Sequence, residues 1–142
     1  MPSTKPLAEV ELTIPSRPEY VGVARLAILG VASRMRFSYD EVEDIRLAVG
    51  EACTRSIDRL NGSADDHTIN LRCLIDANRL TIEVRNPLVA PPPKPATPDP
   101  TGIPPEDNLS GVLIRILMDE VDTEERPEEG LHLLRMVKYV AR

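Results

Sequence analysis

The sequence predicts an α+β fold: a two-layer sandwich with helices on one face of a mixed, mostly antiparallel sheet. Three observations predict it. Two segments between residues 16 and 62 repeat apolar residues every three or four positions, which is the helical period. Shorter segments near 9–14, 67–75, 79–86, 119–124 and 131–139 alternate, or run apolar, over strand length. The resulting order is β, α, α, β, β, loop, α, β, β, in which neighbouring strands joined by tight turns pair antiparallel. A length of 142 residues suits a single domain, 1–142, around one core.

The first strand covers residues 9–14. Ser16-Arg17-Pro18-Glu19 then reads as a helix start, with Ser16 as cap, Glu19 bonding back and Pro18 in the first turn. That helix is expected to run to about Arg34, burying Val21, Ala24, Ile28 and Val31. Ser38 and Glu41 repeat the capping pattern and open a second helix. Val42, Ile45, Val49, Ala52, Cys53, Ile57 and Leu60 form its stripe, acidic residues fill its first turns, and Asn61-Gly62 ends it. Phe37 and Tyr39 are read as packing residues that close the helical hairpin.

Asp76-Ala77-Asn78 is a tight turn between the strands at 67–75 and 79–86. Prolines crowd the stretch from about 87 to 107, which predicts an extended surface loop, because each proline lacks a donor and fixes φ. A short proline-motif ligand is the alternative for that stretch. Val112, Leu113, Leu117 and Met118 mark a third, short helix, and two strands around the charged turn Glu124–Gly130 finish the chain.

Composition excludes some functions. The net charge of -6 opposes direct nucleic-acid binding, which needs a basic surface, and suits a basic protein partner. No run approaches the roughly 20 apolar residues of a membrane span, and Met1–Lys5 carry no signal core, so a cytoplasmic protein is expected. Aromatic residues make up only 3%, so Leu, Ile, Val and Ala must build the core. Cys53 and Cys73 read as reduced, buried thiols, with a single disulfide as the alternative. His67 and His132 are isolated and suggest no metal site, and Ser56 and Ser110 lack a base-and-orienter set.

Three stretches, in order, carry a family resemblance: Ile14-Pro15-Ser16-Arg17-Pro18-Glu19-Tyr20-Val21 on to Arg25-Leu26; Phe37 through Glu51-Ala52-Cys53-Thr54; and Leu117-Met118-Asp119-Glu120-Val121, joined by Val137-Lys138-Tyr139. Together they resemble the bacterial anti-sigma factors of the RsbW/SpoIIAB kind, which have a GHKL, or histidine-kinase-like, ATPase fold. The resemblance implies ATP and Mg²⁺ between helices and sheet, and capture of a sigma factor. It also implies release by an anti-anti-sigma protein of the STAS type, which many members phosphorylate on Ser or Thr. A homodimer is a further family expectation.

Set against that family, the chain departs at each nucleotide-binding box. The first box should read Glu-x-x-x-Asn and here reads Glu51-Ala52-Cys53-Thr54-Arg55. Glu51 stands at the general-base position. Arg55 replaces the Asn that ligates Mg²⁺, and a guanidinium has donors only, so Mg²⁺ is not expected through the usual ligand. Glu51 and Arg55 also read simply as an i,i+4 helix pair, and Arg55 alternatively as a direct phosphate contact. In the second box Asn86 falls where an Asp reads adenine, and Pro87 follows it in place of glycine. The third keeps only Ser110-Gly111, either a phosphate cradle or a plain helix cap.

These departures predict ATP binding that is weak, metal-independent or absent, with kinase activity lost or low. Arg25 matches the family's partner-contacting arginine, against a plain reading as a solvated helix residue. The acidic residues from Asp119 to Glu129 read as a solvated edge that could help to hold a basic partner. The leading expectation is an anti-sigma factor that works by sequestration and partner switching. An active serine kinase using Glu51, and a nucleotide-independent module with a partner other than a sigma factor, are the alternatives.

Overall fold

The computed structural model describes residues 6–60, 66–89 and 109–141. Strand β1 (Ala8–Pro15) leads through a 3-10 turn (Pro18–Tyr20) into α1 (Val21–Ala32) and then α2 (Tyr39–Leu60). Strands β2 (Thr68–Ile75) and β3 (Arg79–Pro87) follow, then α3 (Leu109–Leu117), β4 (Glu120–Arg126) and β5 (Leu131–Tyr139). The sheet order is β1-β2-β3-β5-β4, and each pairing is antiparallel. The last strand thus inserts beside β3 and leaves the acidic β4 at the edge.

Side chains alternate across a strand, so register decides which residues meet the helices. One row on the inner face is Val10, Cys73, Ile82, Met136 and Val121; the next is Leu12, Leu71, Val84, Leu134 and Thr123. Val21, Ala24, Ile28 and Val31 of α1 are all buried in the core that these rows build with α2, as their spacing predicts. On α2, Ile45, Val49, Ala52, Cys53 and Leu60 are buried, while Val42 and Ile57 pack at the margin. Cys53 and Cys73 are free, buried thiols, which burial pushes up to about 12 and about 11.

The second helix starts as expected. The Ser38 backbone N–H donates to Glu41 Oε1 at 2.7 Å, and the Glu41 N–H donates to Ser38 Oγ at 3.1 Å, a closed capping box. The first helix starts differently. Arg17 caps the 3-10 turn with no side-chain bond, while the Ser16 N–H donates to the His67 carbonyl at 3.0 Å. Ser16 therefore continues the strand edge instead of capping a helix, and α1 ends at Ala32. Phe37 packs against the core, but Tyr39 is 79% exposed and closes nothing.

One other expectation shifts by a residue. Pro87 belongs to β3, paired with Leu131 at the strand's last position, where a missing donor costs no ladder bond. The rest of the Pro-rich stretch, from 90 onward, lies outside the described residues, as do Asn61 and Gly62. On α3, Val112 faces outward and Ile114 is the fully buried residue. The end of that helix is held by Lys138 of β5. Its Nζ donates to the Leu117 carbonyl at 2.7 Å, with Asp44 Oδ2 at 3.7 Å, so a cation sits at the negative helix end. Between β4 and β5 a 3-10 turn, Pro127–Glu129, ends at Gly130 with φ 62°, a conformation that favours glycine.

Candidate functional site

The site candidates gather where the C-terminal half of α2 crosses the ends of β3 and β5. Asn86 ends the inner face of β3 and is 2% exposed. Ser56, one residue after Arg55 on α2, donates its hydroxyl to Asn86 Oδ1 at 3.1 Å. Asn86 Nδ2 donates to the Pro87 carbonyl at 2.9 Å. That carbonyl can only accept, so the amide orientation is fixed by its surroundings. Asn86 therefore ties helix to sheet, and its amide group is already used at both ends.

His132 lies opposite Asn86 in the β3–β5 register, with Glu125 opposite it on β4. It is buried, its Nδ1 has no hydrogen-bond partner, and Glu125 Oε1 stands 4.0 Å away. Burial, and then the charge of Arg59, hold this imidazole down to about 4; Arg55 adds to the depression and Glu125 opposes it. His132 was not a site candidate from sequence. Its signal was the two-residue phase of β5, which puts it in line with Leu134 and Met136 on the inner face.

Glu51 and Arg55 lie one turn apart on α2, both half-buried, and each has a partner within the protein. Gly111 is buried in the first turn of α3, which packs on α2, and it too is engaged. The Ser110 side chain and Asn108 lie outside the described residues. Beside Glu51, the Arg55 guanidinium offers donors only and no lone pair to a divalent cation.

Arg25 lies apart from this cluster, in the seam between α1 and α2. Its guanidinium rests on Gly50: a Cβ added there would come within 2.6 Å of Nη2 and 2.9 Å of Cζ. Its Nε is buried without a hydrogen-bond partner. Arg25 is thus a half-buried side chain laid across a glycine, which the solvated reading did not foresee. Around it, Val23 and Leu26 of α1 and Leu47 of α2 are exposed.

A three-helix layer on an open antiparallel sheet, with its polar cluster between α2 and the β3–β5 ends, defines a class. Residues 14–138 match the histidine kinase-like ATPase domain, and the chain belongs to that family. Within it the chain is RsbW-like. It is 40% identical over 75 residues to the serine-protein kinase RsbW of Bacillus subtilis (strain 168), covering 53% of this chain and 47% of that one. The serine-protein kinase RsbW of Bacillus pumilus (strain SAFR-032) is 44% identical over 77 residues, covering 53% and 48%. The chain spans about half the length of these curated relatives. The fold matches the crystal structure of the RsbU and RsbW domains of Rv1364c from Mycobacterium tuberculosis. There the TM-score is 0.68 at 12% identity, over 96% of this chain and 34% of that one.

Proposed function

We propose that this chain is an anti-sigma factor that acts by contact. It sequesters a sigma factor, yields it to an anti-anti-sigma protein, and has weak or lost kinase chemistry. The observation that carries this reading is Arg55. It occupies the helix position from which the family's asparagine holds Mg²⁺, and it presents only donors. Asn86 adds support, because its amide already serves Ser56 and the Pro87 carbonyl. Capture needs only a surface, and the Arg25 seam with Val23, Leu26 and Leu47 offers apolar area around one cation. Such a composition suits an amphipathic partner segment carrying a carboxylate.

A second reading, an active serine kinase, has one observation in its favour: Glu51 stands where a base would act. Incubation with ATP, Mg²⁺ and a cognate anti-anti-sigma protein separates the two. The contact reading expects sigma capture with no phosphate transfer above background. Transfer at enzyme-like rates would install the kinase reading instead.

A further inference from the structure

On the face of the sheet turned away from the helices, the ends of β2, β3 and β5 form a cleft of about 320 Å³, open to solvent on one side. Register puts its residues on that face. Asn70 pairs with Arg85 and Pro87 with Leu131, out of phase with the core residues Ile69 and Val84. Thr68 lies at the mouth, and the turn through Glu129 and Gly130 forms the far wall. That wall is tied to the end of β3, where the Leu88 N–H donates to the Gly130 carbonyl at 2.9 Å. The Asn86 amide bonds Ser56 on the helix side, so the cleft and the α2 cluster lie on opposite faces of the sheet.

Arg85 is the cation of this cleft, with a side chain 21% exposed. Its Nε donates to Asn70 Oδ1 at 2.9 Å, and its Nη2 donates to the same oxygen at 2.5 Å and to Glu11 Oε1 at 3.1 Å. Asn70 is held in turn, its Nδ2 donating to Glu11 Oε1 and to Thr13 Oγ1, each at 3.0 Å. The clamp orients the guanidinium through two of its nitrogens. The third, Nη1, makes no bond among the described residues. The carboxylate on the wall, Glu129, has a cation of its own in Arg126, whose Nη1 stands 3.6 Å away.

The chemistry of the lining selects an occupant. A metal ion is repelled by Arg85, which cannot ligate it. A doubly charged phosphate meets the carboxylates of Glu11 and Glu129 with a single guanidinium nitrogen left to offset them. A monocarboxylate carries only the charge that Nη1 can answer, in a charge-assisted hydrogen bond. Pro87 and Leu131 add an apolar floor, and a mostly apolar lining with a few fixed polar groups is the usual make-up of small-ligand sites. The volume also falls at the lower end of their range, roughly 300–1,000 Å³. We propose that this cleft binds a small organic monocarboxylate with an apolar body, its carboxylate on Arg85 Nη1 and the Thr68 hydroxyl, its chain against Pro87 and Leu131. The inference is independent of what the chain captures and of whether it binds a nucleotide.

Amide chemical-shift titration of the full chain tests it. Hexanoate is the probe, with acetate as the control that lacks the apolar body and hexanol as the control that lacks the charge. Hexanoate is expected to shift the amides of Thr68, Arg85, Gly130 and Leu131 saturably, with a Kd in the millimolar range or below. Each control is expected to bind about tenfold more weakly or worse. Arg85→Gln removes the charge and should weaken hexanoate by about tenfold or more. Thr68→Tyr fills the mouth from an exposed strand position without touching the clamp, and should remove binding, so the test stands even if Arg85→Gln does not fold. Circular dichroism checks the fold of both variants. Hexanoate that fails to saturate at tens of millimolar, or that shifts the amides of α1 and α2 instead, would overturn the inference. So would acetate or hexanol binding as tightly as hexanoate, or undiminished affinity in a folded variant.

Discussion

At the scale of single residues, two side chains behave differently from their solvated counterparts. His132 is neutral in the folded protein down to about pH 4, because burial and Arg59 disfavour its charge. Unfolded, it titrates near the ordinary value of 6.5. Between those values the unfolded chain binds the extra proton, so stability falls as pH drops from about 6.5 to about 4 and this component is flat outside the window. His132→Gln should remove it. Urea midpoints at pH 7.5 and pH 4.5 are expected to differ more for the wild type than for the variant; equal differences would show that the imidazole is not held neutral. Arg25 offers the other test. Gly50→Ala puts a methyl where its guanidinium lies, and the flexible arginine moves more cheaply than the helix does. Stability should hold or rise by up to about 1 kcal/mol, the Gly-to-Ala helix gain. Capture of the proposed sigma partner should weaken, as is equally expected of Arg25→Ala. A variant that binds as tightly as wild type would mean that the seated position of Arg25 has no part in capture.

At the scale of elements, the legible parts were those in which local chemistry decides. The Ser38–Glu41 box, the stripes of α1 and α2 and the Asp76–Asn78 turn were all readable, because each involves residues a few positions apart. The Asp76 N–H indeed donates to the Arg79 carbonyl at 2.9 Å across that turn. Where reading failed, a distant strand had prevailed. Ser16 is drawn into a backbone bond with His67, so it no longer caps α1, and Pro87 is drawn into register with Leu131. The short third helix was legible as an element but not in its phase: nine residues of mostly apolar character do not say which of them turn inward, and Ile114 is buried while Val112 is exposed. Because the α2 box is exposed and local, its worth is predictable: Ser38→Ala should cost about 1 kcal/mol. Guanidinium denaturation with an unchanged slope would register this as a lower midpoint, and a midpoint identical to wild type would show the cap to be dispensable.

At the scale of the whole molecule, the features that sequence could not disclose are those made by register. No local pattern places His132 beside Asn86, or Arg25 on Gly50; both need the sheet and the helix pair to be assembled first. The outer face of the sheet is the largest such feature. Glu11, Arg72, Glu83, Arg135 and Asp122 fall in one row across the five strands, alternating in sign. Glu83, in the central strand, is 7% exposed and is met by Arg135 Nη2 at 3.2 Å and Arg72 Nη1 at 3.9 Å. Arg135 also reaches Asp122 Oδ2 at 3.2 Å, and Arg72 pairs with Glu9. Rim pairs of this kind contribute little singly, but a buried carboxylate between two cations is different. Removing its charge leaves Arg72 and Arg135 facing each other across β3 with no anion between them. Glu83→Gln is therefore expected to cost about 1–3 kcal/mol in low salt, the range for a charged group losing buried partners. Salt should shrink that deficit, since screening relieves the arginine repulsion more than it weakens an enclosed contact. Urea midpoints for wild type and variant at about 0.02 M and about 1 M salt, where the screening length falls from tens of ångströms to about 3 Å, measure it. A deficit that stays the same at both salts would show that Glu83 acts through packing and hydrogen bonding, not through the charge row.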